Sequence, residues 1–215
     1  MTRVVLASTS PARLTLLQAG GIQPLTIAPL VDEDEVTAVA KAQGLVTNTS
    51  EMVGLLARAK AEAVLSRPEA AGAVIIGCDS SLEFNGESLG KPHLPEVAID
   101  RWLAMRGNSG RLYSGHWVID NRNPEAPNAV GRVSHATVHF ANLSESEIEA
   151  YVATGEPLKV AGAFTIDGLG GAFVSRIDGD PHTVVGLSLP TLREMIIELG
   201  IEYPSLWNIK QRTTS

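Results

Sequence analysis

The sequence predicts an α/β domain in which a mixed central β-sheet is flanked by helices and two lobes enclose a cleft. Short apolar runs typical of buried strands alternate with helical patterns along much of the chain. In the middle of the chain, a hairpin signal and two long neighbouring strand patterns interrupt that alternation, which favours a mixed sheet. A chain of 215 residues can bury a sizeable core, and we treat residues 1–215 as a single domain.

The first elements are a strand and a capped helix. Arg3–Ala7 is a short apolar run that predicts a buried strand. Ser10 is a typical N-cap and Pro11 suits the first helical position, so a helix follows and ends at the glycine pair 20–21. Apolar residues at helical spacing predict a second helix over roughly residues 50–66.

The central elements are a strand, a hairpin and a helix. Ala73–Gly77 is a second apolar run and predicts a buried strand that ends at Cys78-Asp79. Asn85-Gly86 lies between two short strand patterns and is a strong hairpin signal. Pro95 to about Met105 has a helical pattern.

The second half of the chain adds three strands and two helices. Ser144–Glu147 forms a capping box that opens a helix, and this helix stops near Gly155. Asn121–Gly131 is a polar loop between two long strands. The other predicted elements are strands over Arg111–Asp120, Val133–Phe140 and near Ala172–Ile177, and a last helix from about Pro190 to Leu199.

The composition excludes several classes of protein. The formal net charge of −7 disfavours nonspecific nucleic-acid binding, which needs a basic surface. No apolar run approaches the ~20 residues that span a bilayer, and the N-terminus lacks the apolar length and cleavage site of a signal peptide. Cys78 is the only cysteine, so no intrachain disulfide forms. We therefore expect a cytoplasmic protein without nucleic-acid or membrane partners.

The segment Ser8–Arg13 has the features of an anion site. A strand leads into a loop of small residues, and the loop leads into a helix N-terminus whose free backbone N–H groups attract anions. Arg13 lies in the first helical turn, where the helix dipole repels a cation, so a bound anion explains its placement better. The alternative is a capped helix with a solvent-facing arginine.

Asp79 and Lys91 are further candidates, each with a plain alternative. Asp79 follows a predicted strand, and open α/β sheets place their ligands beyond strand ends; the alternative is an aspartate that only forms a turn. Lys91 ends a glycine-containing segment similar to a phosphate-binding loop, but Pro92 stands where that motif needs Ser or Thr. The alternative for Lys91 is a surface lysine after a hairpin.

Taken together, these segments resemble the Maf (septum-formation protein) family. The opening segment Leu6–Ile22 is similar to the signature of that family, and the resemblance spans roughly residues 4–200. The further matching segments follow in the family's order: Val31–Asp34, Ala57–Ala61, Gly77–Asp79, Leu89–Pro92, Gly155–Pro157, Lys159–Phe164 and Gly179–Leu187.

The resemblance implies hydrolysis of nucleoside triphosphates to monophosphate and pyrophosphate, with a divalent metal as cofactor. It implies that Asp79 is the general base, or a metal ligand that positions the water, and that Glu33 helps to hold the metal. Mg²⁺ or Mn²⁺ is expected, since carboxylate and phosphate oxygens suit a hard ion. The matching positions are Ser8, Arg13, Glu33, Lys60, Asp79 and Lys91. The resemblance implies that Arg13, Lys60 and Lys91 hold the phosphates, with Lys60 and Lys91 counted as catalytic beside Asp79. Ser8, Ser10 and Arg13 are expected to contact the substrate.

Three departures from the family pattern bear on the choice of nucleobase. Ala12 stands where the pyrimidine-preferring branch has Arg, and Ser80 replaces the usual Thr after Asp79. Asp167 stands where that branch has Gln, whereas the methylated-guanine branch has an acid there. Ala12, Ser80 and Asp167 are therefore expected to contact the substrate, and a guanine-type or modified base is the expectation.

Two further expectations follow from the resemblance. A homodimer is expected at the level of the family. The alternative to an enzyme is a nucleotide-binding regulator of septum formation with little turnover, but the chain retains the implied catalytic residues Glu33, Lys60, Asp79 and Lys91.

Overall fold

The computed structural model describes residues 2–208 and contains a seven-stranded mixed sheet. The strand order is β2-β1-β3-β5-β6-β7, and β4 pairs with the C-terminal part of β3. β1 is parallel to β2 and β3, and the other neighbouring strands are antiparallel. The strands are β1 (Arg3–Ala7), β2 (Leu25–Thr26), β3 (Ala73–Phe84), β4 (Glu87–Leu89), β5 (Ser109–Asp120), β6 (Asn128–Phe140) and β7 (Val174–Gly179).

Helices cover the sheet, as the sequence predicts. Ser10 caps the first helix, and Ser144 with Glu147 forms the predicted capping box of the fifth. Several short 3-10 turns connect the later elements, among them Glu156–Lys159, Ala161–Ala163 and Leu169–Phe173. The helices are α1 (Pro11–Ala19), α2 (Glu33–Ala42), α3 (Thr49–Leu65), α4 (Pro95–Met105), α5 (Glu145–Ala153), α6 (Pro181–Val185) and α7 (Leu189–Glu198).

Three predicted boundaries are wrong. β3 does not end at Cys78-Asp79, because β5 pairs with it from Val74 through Glu83 and carries it to Phe84. The predicted loop 121–131 is too long, since β6 begins at Asn128, which pairs with Asp120 at the end of β5. The strand expected near Ala172 begins at Val174 after a 3-10 turn.

The core is divided between the two ends of the long strands. The first half of β3 contributes to one cluster with α1 and α7, which includes Leu17 and Met195, and to another with α3 on the opposite face. The far end of β3 contributes Leu82 to a third cluster, which surrounds Trp102 of α4. The Trp102 indole N–H donates to the Ala163 carbonyl at 2.8 Å. This division agrees with the predicted two-lobed arrangement.

Helix α3 lies very close to the sheet because glycines face it. A Cβ atom added at Gly77 would lie 2.3 Å from the Ala57 carbonyl oxygen, and one at Gly115 would lie 2.1 Å from that of Val53. Backbone therefore packs on backbone at these two points. The close contact fixes the distance between the side chains of α3 and those of β3.

Two further observations bear on the sequence-based exclusions. Over residues 2–208, no helix combines the length and apolar character needed to cross a membrane. Cys78 is buried, and loss of hydration raises the pKa of its thiol to about 11, so it behaves as a core residue.

Candidate active site

An opening in the sheet edge defines the candidate site. On one side of β3, pairing with β1 ends at Gly77, and pairing with β4 begins only at Leu82. We call the four residues between them, Cys78–Ser81, the notch. The sequence predicts Asp79 at the end of its own strand. In the structure, Asp79 lies in the middle of β3, just beyond the point where the neighbouring strand β1 ends.

The topology directs two segments that carry cations toward the notch, one from each end. The loop after β1 runs past it and enters α1, which carries Arg13. β4 is antiparallel to β3 and its Leu89 pairs with Leu82, so Gly90 and Lys91 lead back toward the notch. Lys91 is exposed, and the preceding Gly90 carbonyl accepts hydrogen bonds from the Arg101 side chain and the Gly162 N–H.

On one face of β3, a lysine lies between two carboxylates. The Lys60 Nζ atom of α3 is 2.6 Å from Asp79 Oδ1 and 2.8 Å from Glu33 Oε1. The side chains of Lys60 and Asp79 are 8% and 11% exposed, whereas that of Glu33 is 45% exposed. The structure therefore brings together three of the sequence-predicted residues in a mostly buried cluster with one net negative charge.

On the other face of β3, Arg13 is buried among neutral oxygens. Its Nη1 donates to Ser8 Oγ at 3.2 Å, its Nη2 to Ser80 Oγ at 3.0 Å, and its Nε to the Gly186 carbonyl at 2.8 Å. Arg13 is only 9% exposed, so the interpretation as a solvent-facing arginine is wrong. Among residues 2–208, no carboxylate lies within ion-pair distance of this guanidinium.

Strand alternation explains why the two groups lie on opposite faces. Successive side chains of a strand point to opposite sides of the sheet, so Asp79 faces α3 and Ser80 faces α1. A ligand in the notch lies at the sheet edge, where both faces are within reach. Such a position allows one anion to meet cations from the two sides.

Three other sequence-predicted residues have plainer surroundings. Ser10 acts as the N-cap of α1 and accepts a hydrogen bond from the Arg13 backbone N–H, and Ala12 is half-buried in the same helical turn. Asp167 is exposed in the loop between Phe164 and the 3-10 turn at Leu169. A role of Asp167 or Ala12 in base recognition stays a prediction.

Sequence reasoning placed Glu156 in a family-matched segment but did not predict that it holds this loop. The Glu156 carboxylate accepts hydrogen bonds from the Tyr151 hydroxyl at 2.9 Å, the Thr165 hydroxyl at 2.6 Å, and the backbone N–H groups of Leu169 and Gly170 at 2.9 and 3.0 Å. Burial alone would raise the pKa of Glu156, but these hydrogen bonds outweigh burial and lower it. The loop is therefore fixed by an ionised carboxylate.

Sequence reasoning also missed helix α2 and the surroundings of Gly186. Asp32 caps α2, and acidic residues fill its first turn, which is a readable signal for a helix start. Gly186 lies in segment 179–187, which matches the family by sequence. That match does not indicate a contact between Gly186 and Arg13.

Comparison with known proteins identifies the family. The family model described as "Maf-like protein" matches residues 3–199. The chain is 52% identical to a nucleoside triphosphate pyrophosphatase of Leifsonia xyli, over 96% of this chain and 97% of that protein. It is 51% identical to a nucleoside triphosphate pyrophosphatase of Salinispora tropica, over 96% of this chain and 88% of that protein.

Among solved structures, the Ham1 protein of Staphylococcus aureus is similar over 92% of this chain and 95% of that protein, at 14% identity and a TM-score of 0.41. At that distance the likeness carries no functional argument. The family match covers nearly the whole chain, and the relatives match it from end to end at about half of their residues. This chain belongs to the Maf family.

Proposed function

We propose that this chain is a nucleoside triphosphate pyrophosphatase, which hydrolyses its substrate to the nucleoside monophosphate and pyrophosphate. The observation that carries the proposal is the buried Arg13. A cation that is removed from water and bonded only to neutral oxygens retains its full charge for an anionic ligand. In a protein with a net charge of −7, the overall charge repels an anionic ligand, and a local cation such as Arg13 offsets that repulsion. The names of the relatives support the same activity.

The surroundings of the notch suit attack of water on a phosphate. Arg13, Lys60 and Lys91 would hold the phosphate oxygens and stabilise the charge that develops on the leaving pyrophosphate. Ser8 lies beside Arg13 and offers a hydroxyl to the same anion. Asp79 would accept the proton of the attacking water or orient that water, because it is the carboxylate at the notch with a fixed position.

The carboxylates of the notch also fit a divalent metal. Glu33 and Asp79 already place oxygens around one cation, the Lys60 ammonium, within 2.8 Å of its Nζ. Residues 2–208 contain no cluster of three or more metal-ligating side chains, so phosphate oxygens and water would complete the shell. Glu33 and Asp79 would thus hold Mg²⁺ or Mn²⁺, which supplies charge neutralisation when it is bound.

Base preference is proposed to be guanine-type. An ionised Asp167 can accept two hydrogen bonds from the N1–H and 2-amino groups of guanine, whereas it would repel the two carbonyl oxygens of uracil. The Glu156 network supports this role, because it holds the loop that carries Asp167 in one conformation. Ala12 leaves room that an arginine would fill.

The test is a panel of nucleoside triphosphates incubated with the purified protein and Mg²⁺, with pyrophosphate as the measured product. We expect pyrophosphate and nucleoside monophosphate in equal amounts. Release of inorganic phosphate with a nucleoside diphosphate would contradict the proposed bond cleavage. Binding of nucleotides without turnover would instead favour a regulator.

A further inference from the structure

Segment 180–188 overlaps the family-matched segment Gly179–Leu187, and its Gly186 contacts Arg13 directly. The segment contains α6 and the N-cap of α7. The Gly186 carbonyl accepts the Arg13 Nε–H at 2.8 Å. Gly186 has a φ of 113°, and a Cβ atom there would lie 3.2 Å from both Arg13 Nε and Ser80 Oγ. Glycine is thus the residue that lets this backbone approach the guanidinium.

A series of hydrogen bonds through the Ser114 and Ser80 hydroxyl groups is a second connection between this segment and Arg13. Ser114 Oγ donates to the Thr183 carbonyl at 2.8 Å, and it lies 2.8 Å from Ser80 Oγ. Because Ser114 uses its one proton on Thr183, the Ser80 hydroxyl donates to Ser114. The lone pairs of Ser80 are then left to accept the Arg13 Nη2–H at 3.0 Å. The Gly186 carbonyl is a second acceptor for the Ser80 proton, at the longer distance of 3.4 Å.

These contacts use a defined part of the arginine. A guanidinium has five N–H donors. Within residues 2–208, Ser8, Ser80 and Gly186 engage three of them, one on each nitrogen, so one N–H on Nη1 and one on Nη2 remain. A pair of N–H groups on the two terminal nitrogens matches the oxygens of a phosphate. Since the three acceptors are neutral, they orient the cation without neutralising it.

We propose that segment 180–188 positions Arg13 for the triphosphate, through the Gly186 carbonyl and through the hydrogen-bonded chain Ser80–Ser114–Thr183. Ser80 then acts on the phosphates through Arg13 and is a positioning residue. The inference rests on the proposed function in one respect, that Arg13 meets phosphate oxygens.

The experiment is a double-mutant cycle on the binding of inorganic tripolyphosphate, measured by calorimetry with Mg²⁺ present. Ser80→Ala removes the acceptor for Nη2, and we expect it to weaken tripolyphosphate binding by about 10-fold. Ser80→Thr keeps the hydroxyl and should restore binding. In the background of Arg13→Ala, which is itself weakened, Ser80→Ala should cause no further loss. Arg13→Gln replaces Arg13→Ala if the alanine variant does not fold.

A second variant tests the other contact. Gly186→Ala should also weaken tripolyphosphate binding, because its Cβ pushes against the guanidinium. Gly200→Ala is the matched control: Gly200 has a φ of 72°, and a Cβ atom there meets nothing within 4 Å. The control carries backbone strain away from Arg13, so it should lose thermal stability and keep tripolyphosphate affinity.

The outcomes separate this inference from the proposed function. Losses that add in the Ser80→Ala, Arg13→Ala cycle would overturn the inference, since Ser80 would then act independently of Arg13. Unchanged binding by Ser80→Ala, or no binding of tripolyphosphate by the wild type, would overturn it as well. If the wild type releases pyrophosphate and the losses add, the proposed function stands and the inference fails. If the losses do not add and no pyrophosphate is released, the reverse holds.

Discussion

Replacing Lys60 by methionine tests the arrangement of charges on the α3 side of the notch. Lys60→Met keeps much of the side-chain volume and removes the ammonium that lies 2.6 Å from Asp79 and 2.8 Å from Glu33. The side chain of Asp79 is 11% exposed, so it loses its partner and gains little water. Removing one partner of such a buried pair costs about 3–5 kcal/mol of unfolding free energy. The half-exposed Glu33 can turn to solvent. We therefore expect Lys60→Met to lower the unfolding free energy by about 3 kcal/mol, the lower end of that range.

The same variant should bind a divalent metal more tightly in the absence of nucleotide. In the wild type, the ammonium occupies the space between the two carboxylates, and a metal must compete with it. In Lys60→Met, Mn²⁺ can take that place, and at 100 times its Kd it would return about 2.7 kcal/mol of stability. Mn²⁺ should therefore restore most of the loss in the variant and stabilise the wild type much less.

The assay is urea unfolding of both proteins with and without Mn²⁺. Arg58→Met is the matched control, because Arg58 lies on the same helix and pairs with Glu62 at the same 2.8 Å, but both side chains are about half exposed. An exposed pair contributes at most about 1 kcal/mol. Arg58 also lies 5.1 Å from the centre of the Trp117 ring, and an exposed cation–π contact of this kind contributes about 0.5–1 kcal/mol. The control should therefore lose less stability than Lys60→Met and show no gain from Mn²⁺. Equal losses in the two variants, or Mn²⁺ stabilising the wild type as much as Lys60→Met, would refute the reasoning.

Three other predictions follow from the site and the core. Asp79→Asn should fold and bind nucleotide but turn over about 100-fold more slowly, the scale of a lost general base; wild-type turnover in a folded variant would remove Asp79 from the mechanism. Asp167→Gln should shift the ratio of kcat/KM for GTP and 7-methyl-GTP over UTP and dTTP toward the pyrimidines, by about 1–3 kcal/mol for a bidentate pair; a strong wild-type preference for UTP that the substitution leaves unchanged would exclude the idea. Burial, followed by the nearby charge of Arg13, lowers the pKa of His116 to about 4, and its Nε2 accepts the Ser188 N–H at 2.8 Å, so the folded protein holds it neutral. Because the unfolded chain binds that proton from about pH 6.5 downward, unfolding free energy should fall by about 3 kcal/mol between pH 6.5 and 4, and His116→Gln should flatten that slope in urea titrations; an unchanged slope would show that other groups govern it.

Elements with local signals were predictable from the sequence. Ser10 before Pro11, the capping box at Ser144 and the Asn85-Gly86 hairpin each specify a start or a turn within a few residues, and the structure confirms all three. The hairpin residues have φ values of 51° and 81°, as this type of turn requires.

Features that depend on distant partners were not predictable in the same way. The polar run Asp79-Ser80-Ser81 suggests a strand end, but β5 pairs with it and keeps it extended. The contact between Arg13 and Gly186 joins residues 173 positions apart, so no local pattern encodes it. Lys60 and Glu33 became candidates through the family resemblance alone, and the structure shows that Lys60 pairs with both Glu33 and Asp79.

The notch has a consequence for the solubility of the protein. A stretch of β3 without a strand partner on one side is an edge to which another extended chain could add, which is a common route to aggregation. This edge is only four residues long, and three of the four, Cys78, Asp79 and Ser81, are buried. Arg13 adds a positive charge on one face through its contact with Ser80. Short, covered or charged edges are devices that natural sheets use against such pairing. Arg13, which we propose to hold phosphate, thus also helps to cover this short edge. Variants that remove Arg13 should be watched for self-association as well as for lost activity.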